Sequence, residues 1–508
     1  MKQKKVSRRG FFKLLGTAGV VGVGATVSGC SNESAGGKGW MPSQYNVPAN
    51  WPVQVKGRIP IDSNNVSIER DDAKCILCGQ CLEVCRNVMS VYGYYELPVK
   101  KEVVCINCGQ CTLWCPTGAI TERQDTAKVL AALDNPAVHV LVQTAPATRV
   151  SLGEEFGLPP GSIVQGKQVA ALKALGFDAV LDTCFGADLT IMEEASELLE
   201  RVKQPEHSLP QFTSCCPGWV KFVEYYYPDL MPHLSSCKSP QQMFGAVAKT
   251  YYAAKKQISP ENIVSVAVMP CTAKKFECQR PEMNAAGVEA KLPAVRDVDI
   301  VITTRELAQL LKKRGIDMNG LASAEYDSIL GETSGAGIIF GVTGGVMEAA
   351  VRTAYHLSTA QDPPDSLLTW NPVRGLQGVK EATADIPGLG TVRVAVCHGL
   401  KNARELLAAV REKKAPWQFI EFMACPGGCI GGGGQPRTSL PPTDEVRKAR
   451  IANLYKLDTA LPAKRSSYQN QEIRQVYQEW LKEPLSEEAE ALLHTRFVDR
   501  SNQLTAKR

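Results

Sequence analysis

The chain of 508 residues is 44% hydrophobic and 21% charged, a globular composition long enough for two or more domains with large cores. Its formal charge of +5 arises at the start: residues 1–29 hold six lysines and arginines and no acid, the remainder has 51 basic against 52 acidic side chains, and nothing points to nucleic acid as a partner. Eighteen cysteines, only six histidines and no CxxCH exclude c-type haem and disfavour zinc; because the cysteines come at metal-ligand spacings, they read as thiolate ligands before disulfides.

The first element is a processing segment. Lys2, Lys4, Lys5, Arg8, Arg9 and Lys13 open the chain, Ser7 to Lys13 (SRRGFFK) matches the twin-arginine export signal, and the apolar stretch Leu14 to Val27 is too short to span a bilayer comfortably. Val27-Ser28-Gly29-Cys30 resembles a lipobox. A signal peptide over 1–29 is therefore expected, with a lipidated Cys30 attaching the mature chain peripherally to the periplasmic or other extracytoplasmic face of the membrane. An ordinary cleavage site or an uncleaved anchor is the alternative. Residues 30–66, with Ser, Gly, Asn and four prolines, read as a tether.

Residues 67–125 carry two cysteine runs, Cys75, Cys78, Cys81, Cys85 and Cys105, Cys108, Cys111, Cys115, each spaced CxxCxxCxxxC. The second run is followed by Pro116, as in bacterial ferredoxins, and the first by Arg86. Thiolates at i, i+3 and i+6 hold three irons of a cubane from one tight loop, and the other run supplies the fourth ligand. One [4Fe-4S] cluster is accordingly assigned to Cys75, Cys78, Cys81 and Cys115, the other to Cys105, Cys108, Cys111 and Cys85. Zinc is the alternative.

Over residues 126–440, β-branched runs alternate with amphipathic helical stretches. Strands are expected at Val138 to Gln143, Ala179 to Asp182, Ile263 to Val268, Asp299 to Thr303, Arg393 to Val396 and Phe419 to Phe422, with helices such as Asp188 to Val202 and Asn402 to Val410 following most of them. This predicts α/β layering with mainly parallel strands, possible as two lobes. Ligands of such sheets sit beyond the strands' carboxyl ends, where Cys184, Cys215, Cys216, Cys271, Cys397 and Cys425 fall. Gly335, Gly337, Gly341, Gly344 and Gly345 miss the dinucleotide-binding spacing and read as turns and close packing. Residues 441–508 form a helical tail, with helices at Glu445 to Leu457, Gln471 to Leu481 and Ser486 to Leu493, the last N-capped by Ser486.

Three segments carry the most specific signal: TSCCPGW (Thr213 to Trp219), MPCTAKKFE (Met269 to Glu277) and EFMACPGGCIGGGGQP (Glu421 to Pro436), the last with six glycines in the eight residues 427–434. Glycine at that density lets backbone wrap closely round an inorganic cluster. These segments resemble the three signature motifs of the [FeFe] (iron-only) hydrogenases. The ferredoxin-like runs upstream and a tail similar to the small subunit extend the resemblance over roughly residues 67–500. It implies a ferredoxin-like domain with two [4Fe-4S] clusters, then a two-lobed α/β domain, then the tail, making an α/β and α+β multidomain chain.

The resemblance also implies site residues. Cys216, Cys271, Cys425 and Cys429 would ligate the cubane of an H-cluster, Cys429 bridging it to a di-iron subsite with carbon monoxide, cyanide and azadithiolate. Cys215 would relay protons, continued by Glu194, Glu197 and Ser235, with Glu193 or Ser236 the members if the register is off by one. Lys274 would donate to a cyanide, and Met269, Met423 and Pro146 would line the di-iron pocket; core packing explains a methionine equally well. Cys184, Cys237, Cys278 and Cys397 read as buried free thiols. The implied activity is reversible oxidation of H2 to protons and electrons, passed to a cytochrome, a ferredoxin or a membrane oxidoreductase subunit, with uptake favoured by export. The rivals are a hydrogen-sensing homologue and a cytosolic iron–sulfur assembly factor of related fold.

Overall fold

The computed structural model describes residues 57–92, 103–204 and 208–504. The export signal, Cys30 and most of the tether lie outside the described residues. The chain is already packed at Gly57, well before residue 66: Gly57 bridges to Cys78, and the buried Ile59 sends its N–H to Cys81 Sγ at 3.4 Å. Apolar Ile59 is what covers that cysteine loop, so the tether ends earlier than its composition implies.

The strands in chain order are β1 (Ile68–Arg70), β2 (Ile120–Glu122), β3 (His139–Thr144), β4 (Ala179–Asp182), β5 (Gln211–Phe212), β6 (Ile263–Met269), β7 (Ile300–Thr303), β8 (Val379–Ile386), β9 (Gly390–His398) and β10 (Phe419–Met423). β1 and β2 pair antiparallel and close the loop-rich cysteine region between them. One four-stranded sheet, β4-β3-β6-β7, is wholly parallel. The other, β5-β10-β9-β8, is parallel except for its edge, where β8 and β9 form a hairpin.

Sequence periodicity missed β1, β2, β5 and β8. The first three are two or three residues long, too short for a period to show, and β8 alternates buried with exposed positions at an edge. β9 runs longer than expected and contains Cys397, so that thiol lies inside a strand and not beyond its carboxyl end. Val140, Val142, Val266, Val268 and Ile302 put β-branched side chains into the core of the first sheet, as a strand buried on both faces requires.

Helix α1 (Thr183–Lys203) passes between the lobes and is buried on two sides. Phe185, Leu189 and Met192, spaced i, i+4 and i+7, enter one core cluster; Ala187, Ile191 and Leu198 enter another. Such a helix has little solvated face, so Asp188, Glu193, Glu194 and Glu197 are buried. Helix α2 (Pro217–Tyr226) begins just after β5, α3 (Ala273–Glu277) just after β6, and α4 (Gly345–Thr359) after a glycine turn. The tail begins with α5 (Asp444–Thr459); later tail residues Tyr468, Ile473, Tyr477, Leu481, Leu492 and Leu493 share a core with Phe185 and Phe244. Ser486 caps the last helix, accepting from Ala489 N at 3.2 Å. No helix among the described residues is long and apolar enough to cross a membrane.

Candidate metal centre and proton route

The two cysteine runs fold alike. Leu77 and Asn107, third in their runs, and Gly79 and Gly109, fifth, all have positive φ (54°, 62°, 80° and 67°), so each loop turns its thiols inward before a short helix. One hollow is lined by Cys75, Cys78, Cys81 and Cys115, a second by Cys85, Cys105, Cys108 and Cys111. The fourth member of each set thus comes from the opposite run. Cys78 is exposed and flanked by Ile76 and Leu77, 64% and 50% exposed; the second set lies deeper, against the glycine segment.

At the carboxyl ends of β5, β6 and β10 lies a cavity of about 80 Å³ lined by Cys215, Cys216, Cys271, Cys425 and Cys429, with Pro146, Met269, Lys274 and Met423 in the same wall. Strand termination explains the convergence: each cysteine follows the end of its strand within a few residues, β5 and β10 end side by side in one sheet, and β6 of the other sheet ends at the same cavity. The Gly427–Gly434 loop is tight: a Cβ on Gly428, at φ +94°, would stand 2.7 Å from Met423 Sδ, and one on Gly433 2.3 Å from Cys108 O. Among the described residues no three His, Cys, Asp or Glu side chains converge as on one metal ion. The thiols are instead spread around a cavity, and a buried, all-sulfur donor set of that spread fits a multi-iron cluster. Burial, and then the neighbouring thiols, push the Cys271 thiol up to about 12 and the Cys425 thiol well above its usual value. Ligation therefore has to displace the protons.

Lys274 Nζ donates to Glu277 Oε2 (2.9 Å) and to Cys215 O (3.1 Å), which leaves one of its three N–H groups for a ligand in the cavity. Glu277 also accepts from Ser239 Oγ (2.8 Å) and Gln241 Nε2 (3.3 Å). Glu277 stands in the MPCTAKKFE motif yet was given no role, although an acid three residues after a helical lysine is the partner spacing. His398 was missed too: wholly buried, with burial pushing its pKa down to about 3, it accepts Gly427 N–H at Nδ1 (3.2 Å) and props the cysteine loop.

From the cavity, acids lead outward along α1. Glu194 and Glu197 are buried, and neither oxygen of Glu194 has a hydrogen-bond partner. Burial, then the charge of Glu197, pushes the Glu194 carboxyl up to about 8, against which the nearby Ser235 hydroxyl acts weakly. Glu197 accepts from Ser235 Oγ at 2.6 Å and from Arg201 Nη2 at 2.7 Å. Cys215 is held protonated by burial first and by Glu194 next. Glu193 points the other way, bonded to Tyr477, Leu485 N and His494 of the tail. Ser236 divides between Glu197 and His494, and Ser235 makes the shorter contact. Arg201, i+4 from Glu197, is a further member that helix spacing could have flagged.

A buried thiol-lined cavity at strand ends, fronted by two more four-cysteine sets, is the build of an iron–sulfur oxidoreductase. Residues 138–433 match the family described as "Iron only hydrogenase large subunit, C-terminal domain", and residues 444–500 match "Iron hydrogenase small subunit". The "NADP-reducing hydrogenase subunit HndD" of Solidesulfovibrio fructosivorans is 47% identical over 86% of this chain and 75% of its own length. The "Periplasmic [Fe] hydrogenase large subunit" of Nitratidesulfovibrio vulgaris is 47% identical over 76% and 90%. A variant of the [FeFe]-hydrogenase HydA1 from Chlamydomonas reinhardtii superposes with a TM-score of 0.65 at 43% identity, over 74% of this chain and 99% of that one. A more distant relative, "Protein NAR1" of Arabidopsis thaliana, is 32% identical over 75% and 83%. The chain belongs to the iron-only hydrogenases, oxidoreductases that act on H2.

Proposed function

We propose that this protein catalyses reversible H2 oxidation at an H-cluster held by Cys216, Cys271, Cys425 and Cys429, with Cys429 the bridge to the di-iron unit. The observation that carries the reading is one cavity shared by these four thiols, Cys215, Lys274 and both methionines. When bound, the H-cluster supplies the chemistry of making and breaking the H–H bond. Met269, Met423 and Pro146 keep water out of the cavity, and Lys274 presents its remaining N–H to an anionic ligand. Protons leave through the Cys215 thiol, the Glu194 carboxyl, Ser235, Glu197 and Arg201. Glu194 has no hydrogen bond to break when it turns between the cysteine and the serine.

The Cys85/Cys105/Cys108/Cys111 and Cys75/Cys78/Cys81/Cys115 sites of a bacterial-ferredoxin-like domain would hold two [4Fe-4S] clusters, which would supply electron transfer towards a redox protein meeting the exposed Cys78 loop. The twin-arginine signal and the lipobox at Cys30 support an extracytoplasmic, membrane-attached enzyme, for which uptake is the favoured direction. The domain limits are those set out above, except that the tether ends before Gly57.

Infrared spectroscopy of protein matured with its accessory enzymes tests the reading. Stretches of iron-bound carbon monoxide and cyanide are expected, and H2-dependent dye reduction with them. A protein that binds cubane iron in this cavity, shows no such stretches and turns over no H2 belongs instead with the assembly-type relatives.

A further inference from the structure

Among the buried lysines of this molecule, most meet a carboxylate. Lys238 pairs with Asp297, Lys249 with Asp299, Lys274 with Glu277, and Lys275 with Asp125 and Glu306. Lys221, on α2 and only 7% exposed, does not: among the described residues its Nζ donates to Asn107 Oδ1 at 2.5 Å and lies 3.8 Å from the ring centroid of Phe276. The nearest acid, Glu224, is already held by Arg280 and Arg500. A buried ammonium whose company is an amide oxygen and the rings of Phe276 and Tyr225, the latter 5.7 Å from Nζ, lacks its counter-charge.

The missing charge has an evident source. Asn107 sits inside the Cys105–Cys108 loop at φ +62°, and its N–H points at Cys105 Sγ, 3.3 Å away. Its carbonyl accepts from Thr272 Oγ1 at 2.6 Å, one residue after Cys271. Burial lowers the Lys221 pKa to about 8, and the charge of Cys105 is the foremost influence opposing that fall. We propose that Lys221 is the internal counter-cation of the site formed by Cys85, Cys105, Cys108 and Cys111, placed to raise the reduction potential of a [4Fe-4S] cluster held there.

The inference rests on the reading of that site as a cluster site. A cubane with four thiolates is anionic and gains one further negative charge on reduction; a fixed cation in a water-poor setting favours the reduced state and moves the potential upward. Asn107 holds the ammonium in place. The outer site is served differently: Arg58 in its wall is 37% exposed at the side chain and paired with Asp72, so its charge is screened and neutralised, and Arg437 beside the Cys115 turn lies under the influence of Glu122 and Arg305 as well as Cys115. The tuned site is also the one packed on the catalytic cavity, since an added Cβ on Gly218 would stand 3.8 Å from Cys108 Cβ and 3.4 Å from Ala424 Cβ.

Full-length protein with reconstituted clusters, titrated electrochemically and followed by electron paramagnetic resonance, tests this with Lys221→Met, Lys221→Gln and Lys221→Arg. Iron and sulfide in the parent come first: a parent lacking the two ferredoxin-type clusters ends the cluster reading of the runs, whatever Lys221 does. With both present, one midpoint potential is expected to move negative in the Met and Gln variants, the others staying put, and Arg is expected to hold the parent value. Loss of one cluster from the neutral variants alone supports the same assignment. Unchanged potentials in both neutral variants, a shift of all clusters together, or equal loss of iron from all three variants overturns it.

Discussion

Glu194 concentrates the residue-scale argument, because it is a carboxyl with no hydrogen bond and no solvent, facing a second acid three residues on. Its pKa of about 8, raised by burial and then by Glu197, keeps it protonated at neutral pH and able to give up a proton a little above it. Replacing it by glutamine should lower turnover by about 10²- to 10⁴-fold, with the KM for H2 and the iron content unchanged; a loss below tenfold would remove Glu194 from the route. The shift also couples to stability. The folded-state pKa lies above the unfolded one, so the contribution is complete below the unfolded value and lost as pH rises towards 8. Relative to Glu194→Gln, the parent should lose up to about 1.4 kcal/mol per pH unit between pH 5 and 8, read by denaturant unfolding at both ends; parallel loss in the two proteins would contradict it. Acids on a helix ordinarily occupy its solvated face. The burial of Glu194 and Glu197 follows from what packs against α1 on both sides.

At the scale of elements, the carboxyl ends of parallel strands bring distant cysteines together, and the glycine loop closes the cage. Gly428 combines a left-handed backbone with close neighbours, its φ at +94° and Met423 Sδ and Thr343 N both 2.7 Å from any Cβ. Gly428→Ala should cost at least about 1–3 kcal/mol in backbone strain alone, and should show first as lost cubane iron, because the loop carries two of the four thiols. Full iron and unaltered cluster spectra in that variant would mean the loop relaxes freely. The glycine density and the cysteine spacing made this segment legible, and the i, i+3 spacing of Lys274 and Glu277 on α3 was there to be read, whereas the His398 prop was not. His398 ends β9, an element apart from the loop it serves, and carries no signal without it.

For the whole molecule, the tail is part of the core and not an appendage. Leu492 and Leu493 are buried with Phe185, Met243 and Tyr251, and Lys238 N donates to Leu493 O at 2.8 Å beside the Ser235–Cys237 segment. Leu493→Ala should cost about 2–5 kcal/mol and lower the main thermal transition. A separate early transition confined to the tail, with the main one unmoved, would show that it folds independently.

The order of local residues was enough to specify what depends on local order: thiol spacing in the two runs and three motifs, the grouping of each run's last cysteine with the other run, buried β-branched strands and the tail helices. A pairing as short as β5 shows no period, and at the hairpin edge β8 the polar Lys380 takes a buried place in the alternation, so only the sheets decide them. The same holds for the buried acids of α1 and for Lys221, whose environment is built from Asn107, Phe276 and Cys105, between about fifty and over a hundred positions away. Chemistry that resides in one segment can be read along the chain. Electrostatics and burial are sums over whatever the fold brings near, and they exist only once it has formed.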